Sequence, residues 1–128
     1  MTQNEKDILS KDLCARLPYG VKVHFSGWDR EYLQQKEMVD TLYSIDSDGY
    51  CNTYEYDSLL ELGNIKPYLF PISSMTEEQN LEYLRTCWGG NAGAPTLVSF
   101  DWCNKNHFDY RGLIPMGLAN DATGLNIY

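Results

Sequence analysis

Imidazole, carboxylate, phenol and guanidinium follow one another within five residues in His107-Phe108-Asp109-Tyr110-Arg111, ahead of Gly112. Those groups suffice for a base, its orienting partner and an anion clamp, the equipment of a small hydrolase-type enzyme. The same residues also suit architecture. Asp109 can cap a following turn, Arg111 can bond a carboxylate or carbonyls left open at a helix end, and Gly112 can supply a positive φ. Phe108 and Tyr110 then plug a helix–sheet junction. The architectural role is the expectation here, because closeness in sequence does not bring catalytic groups together in space. A second candidate is a binding surface. Ten tyrosines stand in 128 residues, and Tyr50, Tyr54 and Tyr56 share one expected strand face with Asn52. Tyrosine offers large area and a polar tip at low entropic cost.

Other constellations fail on spacing. Asp46-Ser47-Asp48-Gly49 invites calcium, yet a calcium loop starting at Asp46 puts Tyr50 at position 5, glycine at 4 and Asp57 at 12. A hairpin turn fits better. Glu77 and Glu78 sit in an expected first helical turn, where negative charge is stabilising. Gly89-Gly90-Asn91-Ala92-Gly93 lacks the lysine and the preceding strand of a phosphate loop. No GxSxG elbow or HExxH pair occurs. Cys14, Cys51, Cys87 and Cys103 form no CxxC, and His24 and His107 complete no zinc spacing. The expectation is four reduced thiols, no metal and no cofactor.

The net charge of −8 is spread over both halves of the chain. Phosphate backbones require clustered cations, so nucleic acid is not the expected partner. There is no apolar run near the eighteen residues of a membrane span, and the polar, acidic N-terminus is unlike a secretory signal. A cytoplasmic protein whose partner is another protein is expected.

The elements that must position these groups are legible in outline. Residues 3–16 predict a helix, with Ile8, Leu9, Leu13 and Leu17 on one stripe and Asp12 among the solvent-side charges. Pro18 and Gly20 end it. Val21, Val23 and Phe25 line one face of a first strand, followed by a turn at Gly27–Arg30 and a polar connection over 31–37. Val39, Thr41, Tyr43 and Ile45 line a second strand, and Tyr50 to Tyr56 forms a third. Ile65 to Ile72 is extended and bracketed by Pro67 and Pro71, which mark an edge or irregular strand. Thr76-Glu77-Glu78-Gln79 is a capping box for a helix burying Leu81, Leu84 and Trp88. Residues 96–106 predict a further helix, with apolar side chains almost all round it. The whole reads as one α+β domain over 1–128: a helix in 1–18, a β-rich part in 19–72, and a helical part with a packed tail in 73–128. The sheet is expected to be small, curved and antiparallel, of the kind found in SH3-like partial barrels.

Three long stretches carry a resemblance: Lys11-Asp-Leu-Cys-Ala-Arg-Leu-Pro-Tyr-Gly-Val21, Ile65-Lys-Pro-Tyr-Leu-Phe-Pro-Ile-Ser-Ser-Met-Thr-Glu-Glu78, and Asp101-Trp-Cys-Asn-Lys-Asn-His-Phe-Asp-Tyr-Arg-Gly-Leu-Ile-Pro-Met-Gly-Leu-Ala119. In these the chain resembles a family of small uncharacterised proteins of Bacteroides-type gut bacteria and their phages. Phe70 stands where that family is expected to carry arginine, Cys103 where it carries leucine, and the tail after Ala119 differs. The resemblance implies cytoplasmic life on a bacterial or phage genome and brings no activity. Together with the acidic, tyrosine-rich composition, it makes a non-catalytic interaction or accessory protein the expected function. A hydrolase centred on His107, Asp109, Tyr110 and Arg111 is the alternative.

Overall fold

The computed structural model describes residues 1–29, 31–55, 60–87 and 93–128, with the backbone alone at 28 and 29. The chain opens with helix α1 (Gln3–Arg16), started by a capping box in which Thr2 and Glu5 satisfy each other's backbone N–H groups. Strands β1 (Lys22–Asp29) and β2 (Gln34–Ile45) form a long hairpin, followed by β3 (Tyr50–Thr53), β4 (Leu60–Glu61) and β5 (Ile65–Pro71). Helices α2 (Glu77–Thr86) and α3 (Leu97–Lys105) come next, then two short strands, β6 (Phe108–Asp109) and β7 (Asn120–Asp121). This is the expected α+β architecture.

The described strands make one open sheet in the order β4-β3-β2-β1-β5-β6, with β7 also paired to β5. Its first five strands are antiparallel, as the sequence predicts. The last two are parallel additions from the tail, so the sheet is mixed. β5 is consequently no edge strand. Its first residues face β1, and Tyr68 to Pro71 receive β7 and β6.

Alternation puts Val21, Val23 and Phe25 into the core beside Leu9 and Leu13 of α1. Leu42, Cys51, Ile65, Leu69, Leu113 and Leu118 complete it. Each fully buried aliphatic side chain contributes about 1.5–3 kcal/mol. The expected turn at Gly27–Arg30 is instead a continuation of β1 at least to Asp29. Gly27 keeps the inward phase, and a Cβ there would lie 2.8 Å from Met38 Sδ.

On β2 the buried face is Met38, Asp40 and Leu42, while Val39 and Tyr43 are exposed. The predicted phase of Val39, Thr41, Tyr43 and Ile45 holds only for Ile45, because a bulge between Leu42 and Ser44 shifts the register. Asp40 tolerates its inward position by accepting the backbone N–H groups of Thr41 and Glu55, each at 2.7 Å. Asp46 Oδ1 takes the N–H groups of Asp48 and Tyr50, and Gly49 has φ 83°, which makes the expected hairpin turn.

The Thr76–Gln79 capping box forms as predicted. The predicted stripe of α2 does not form, because Leu81 is 52% exposed. Leu84 is half-buried and Trp88 lies outside the described residues. α2 rests on α3 through the Tyr83 and Trp102 rings, 5.9 Å apart, and through Thr96 Oγ1 donating to Thr86 O.

Candidate functional site

α3 ends at Lys105, and the chain reverses through His107 at φ 64°. That left-handed conformation is unfavourable for a side chain bearing a Cβ. It is held from both sides. His107 O accepts the Phe70 N–H at 2.8 Å, and the imidazole stacks on Tyr128 with centroids 3.7 Å apart. Burial, with a smaller contribution from the Arg16 charge, lowers the His107 pKa to about 4. Its Nδ1 is buried with no hydrogen-bond partner. Next in the chain, Asp109 accepts the Leu113 and Ile114 N–H groups, both at 2.9 Å, and so closes the turn that begins at Gly112, φ 78°. Tyr110 stacks on Phe100 at 4.9 Å, beneath the guanidinium of Arg111 at 5.0 Å.

The charged centre of this region lies on α1. Arg16 and Asp12 are both fully buried and joined by two hydrogen bonds, from Arg16 Nε at 2.8 Å and from Nη2 at 3.1 Å. The guanidinium also donates to Phe108 O at 2.7 Å and Cys103 O at 3.4 Å, so it ties α1 to the end of α3 and to β6. Arg111 Nε adds a second cation to Asp12 at 3.2 Å. Asp12 is therefore not a solvent-side charge. Its inward position was nonetheless encoded: Leu9, Asp12, Leu13 and Arg16 are spaced to fall on one helical stripe. Sequence reasoning passed over it because an oppositely charged pair four residues apart is also the pattern of a surface helix.

Of the four hydrolase candidates, Tyr110 and Arg111 line a groove, whereas the polar atoms of Asp109 are engaged in the turn and His107 is stacked under Tyr128. The groove measures about 480 Å3. Its apolar walls are Ala15, Leu97, Phe100 and Tyr110, with Arg111, Asp101 and Asn104 as polar members. Asp101 is held by the Tyr19 hydroxyl at 2.6 Å. Asn104 is 6% exposed, and its Oδ1 has no partner. Leu97 at this groove is 86% exposed, and its chain neighbour Val98 is 64% exposed. The apolar surround predicted for this helix exists, but part of it faces solvent.

A second cleft of about 590 Å3 lies over the outer face of β1 and β5. His24 Nε2 meets Glu37 Oε2 there at 2.6 Å, while Ser26 Oγ turns to Gln35 at 3.5 Å. Serine, histidine and glutamate thus share a face, with the histidine on Glu37 and the serine hydroxyl on Gln35. Among the described residues, no three His, Cys, Asp or Glu side chains converge as metal ligands would.

The tyrosines are dispersed. Tyr54 is exposed and meets Tyr43 edge to face at 5.0 Å, beside Asn52. Tyr50 lines a different groove, against α1, and Tyr56 lies outside the described residues. Cys51, Cys87 and Cys103 are buried and Cys14 is exposed. Burial pushes the Cys51 and Cys103 thiols up to about 11, away from nucleophilic character. No helix of the described residues is long and apolar enough to cross a membrane. No protein-family model, curated protein or solved structure matches the chain.

Proposed function

We propose that this chain is a non-catalytic protein-interaction module that engages its partner through the exposed apolar flank of α3. The carrying observation is the pair Leu97 and Val98, 86% and 64% exposed on adjacent helical positions beside the Phe100–Tyr110 stack. Isolated exposed apolar residues are ordinary, but an apolar cluster at the mouth of a groove with a polar rim has the anatomy of an interface. The competing hydrolase reading draws on His107, Asp109, Tyr110 and Arg111. The first is stacked and the second closes a turn, so the base and its orienting carboxylate are both engaged elsewhere. On the resemblance drawn from the sequence, the module is an accessory protein working in the cytoplasm of a Bacteroides-type bacterium or under one of its phages.

The test compares tagged wild type with a Leu97→Asp, Val98→Asp double variant as baits in lysate of such a host. A protein retained by the wild type and lost by the equally folded variant supports the reading. Identical retained sets overturn the assignment to α3.

A further inference from the structure

The groove beside α3 combines three features that one small chemical unit satisfies together. Its walls are apolar, formed by Ala15, Leu97, Phe100 and the face of Tyr110. At one point it presents Arg111. That guanidinium uses Nε on Asp12 and Nη2 on the Tyr110 hydroxyl, and its side chain is 32% exposed. In a chain of net charge −8, a cation set into an apolar groove selects an anionic group. The third feature is Asn104, more than nine-tenths buried on the groove wall with an Oδ1 that lacks a partner. A buried amide oxygen without a donor is costly, and half a turn about χ2 exchanges its two ends. With the amide so turned, its oxygen lies on the groove side and an incoming N–H meets an acceptor there. Asp101 also lines the groove, makes no ion pair with Arg111, and is fixed by Tyr19.

Resting on the reading of this face as an interaction surface, we infer that the groove receives the apolar C-terminal residue of a partner protein, its free carboxylate on Arg111, its side chain against Leu97 and Phe100, and its backbone N–H on Asn104. A C-terminal residue carries carboxylate, apolar side chain and N–H within one unit, which matches the short span of the groove. An internal acidic side chain places its carboxylate on a residue separate from the apolar one.

Fluorescence polarisation with labelled hexapeptides Gly-Ser-Gly-Ser-Phe-X tests this, X being leucine, isoleucine, valine or phenylalanine. Each is made as free acid and as amide, alongside an amidated Gly-Ser-Gly-Phe-Leu-Glu. At least one free acid is expected to bind saturably. Its amide and the internal-glutamate peptide are expected to bind at least tenfold more weakly. Leu97→Asp, at a position too exposed to affect folding, should weaken the free acid at least tenfold, and Asn104→Leu should weaken it severalfold at unchanged thermal stability. No saturable binding by any free acid to 1 mM (roughly −4 kcal/mol or weaker), or equal binding of acid and amide, overturns the inference. If partner capture depends on Leu97 and Val98 yet no free-acid peptide binds or competes, the C-terminal assignment falls and the interaction module stands. If capture is indifferent to Leu97 and Val98, both fall.

Discussion

Replacing Asp12 by asparagine keeps the shape of a fully buried polar group and removes its charge. Arg16 stays fully buried, held by Phe108 O at 2.7 Å and Cys103 O at 3.4 Å, with no carboxylate against its Nε and Nη2. Breaking a buried pair from one side leaves an uncompensated charge and costs about 3–5 kcal/mol. For 128 residues total stability is roughly 6–19 kcal/mol, so the variant folds but keeps a reduced margin. With about 2.1 cal/mol/K of unfolding entropy per residue, a loss of about 4 kcal/mol lowers Tm by about 15 °C. Urea unfolding followed by tryptophan fluorescence, with calorimetry, reads both quantities. Asp12→Leu combined with Arg16→Met removes both charges and fills the volume, and it is expected to recover at least about 2 kcal/mol relative to the sum of the single changes. A cost below about 1 kcal/mol for Asp12→Asn, or simple additivity in the double variant, would refute the account of this pair as the tie between α1 and the end of α3.

Arg111→Ala should cost about 1–3 kcal/mol, since it strips a cation from Asp12 and a donor from Tyr110; a thermal melt within 2 °C of wild type would contradict this. His107→Ala is expected to cost less than Arg111→Ala, because the lost stack on Tyr128 is offset by removing an unpartnered buried nitrogen. Chemical denaturation of the two variants side by side gives the ranking. The lowered His107 pKa also predicts a pH dependence. The folded state resists protonation until about 4 while the unfolded imidazole protonates near 6.5, so this contribution is complete above pH 6.5 and is lost as pH falls toward 4. Discounted for partial solvent contact it amounts to about 1–2 kcal/mol, and the difference between wild type and His107→Ala across that window should shrink accordingly. Asp109→Ala leaves the Leu113 and Ile114 N–H groups without acceptors and should cost about 2–4 kcal/mol. Guanidinium titration checks this, and a near-neutral result would mean that water replaces the cap. Leu97→Asp should leave Tm within about 2 °C, as a surface change does.

Local chemistry was legible where one residue decides one conformation. The span of α1 over residues 3–16, the Thr76 capping box, the Asp46–Gly49 turn and the β1 face of Val21, Val23 and Phe25 all follow from short-range rules. The roles of Asp109, Arg111 and Gly112 as cap, ion-pair partner and positive-φ residue were legible too, since each is a common use of that side chain. What escaped was non-local. The β2 face depends on a bulge that no single residue announces, and period-two reasoning carries one error along the whole strand. Strands of two residues such as β6 and β7 have no periodicity, because only the waiting edge of β5 makes them strands. The inward turn of Asp12 and Arg16 agrees with helical spacing, yet spacing alone does not separate it from a surface pair, because the carbonyls that receive the guanidinium come from residues 103 and 108.

That tie also governs the order in which the chain can fold. Arg16 finds its carbonyl partner 92 residues later, and the Lys22 N–H meets the Tyr128 hydroxyl 106 residues on. At a synthesis rate of about 5–20 residues per second, the Phe108 carbonyl that Arg16 needs is made about 5–20 s after Arg16 itself. Until then the stripe that holds Leu9 and Leu13 also holds a charged pair whose carbonyl partners are missing, and water is what satisfies the guanidinium. The first hairpin can zip early, since its contacts are local. The carbonyls that replace that water on Arg16 belong to Cys103 and to Phe108 at the start of β6, the strand that pairs with β5. A chain stopped before residue 108 therefore lacks the shortest carbonyl contact of Arg16 and the β6 strand that supplies it, and is expected to be less stable than the whole chain.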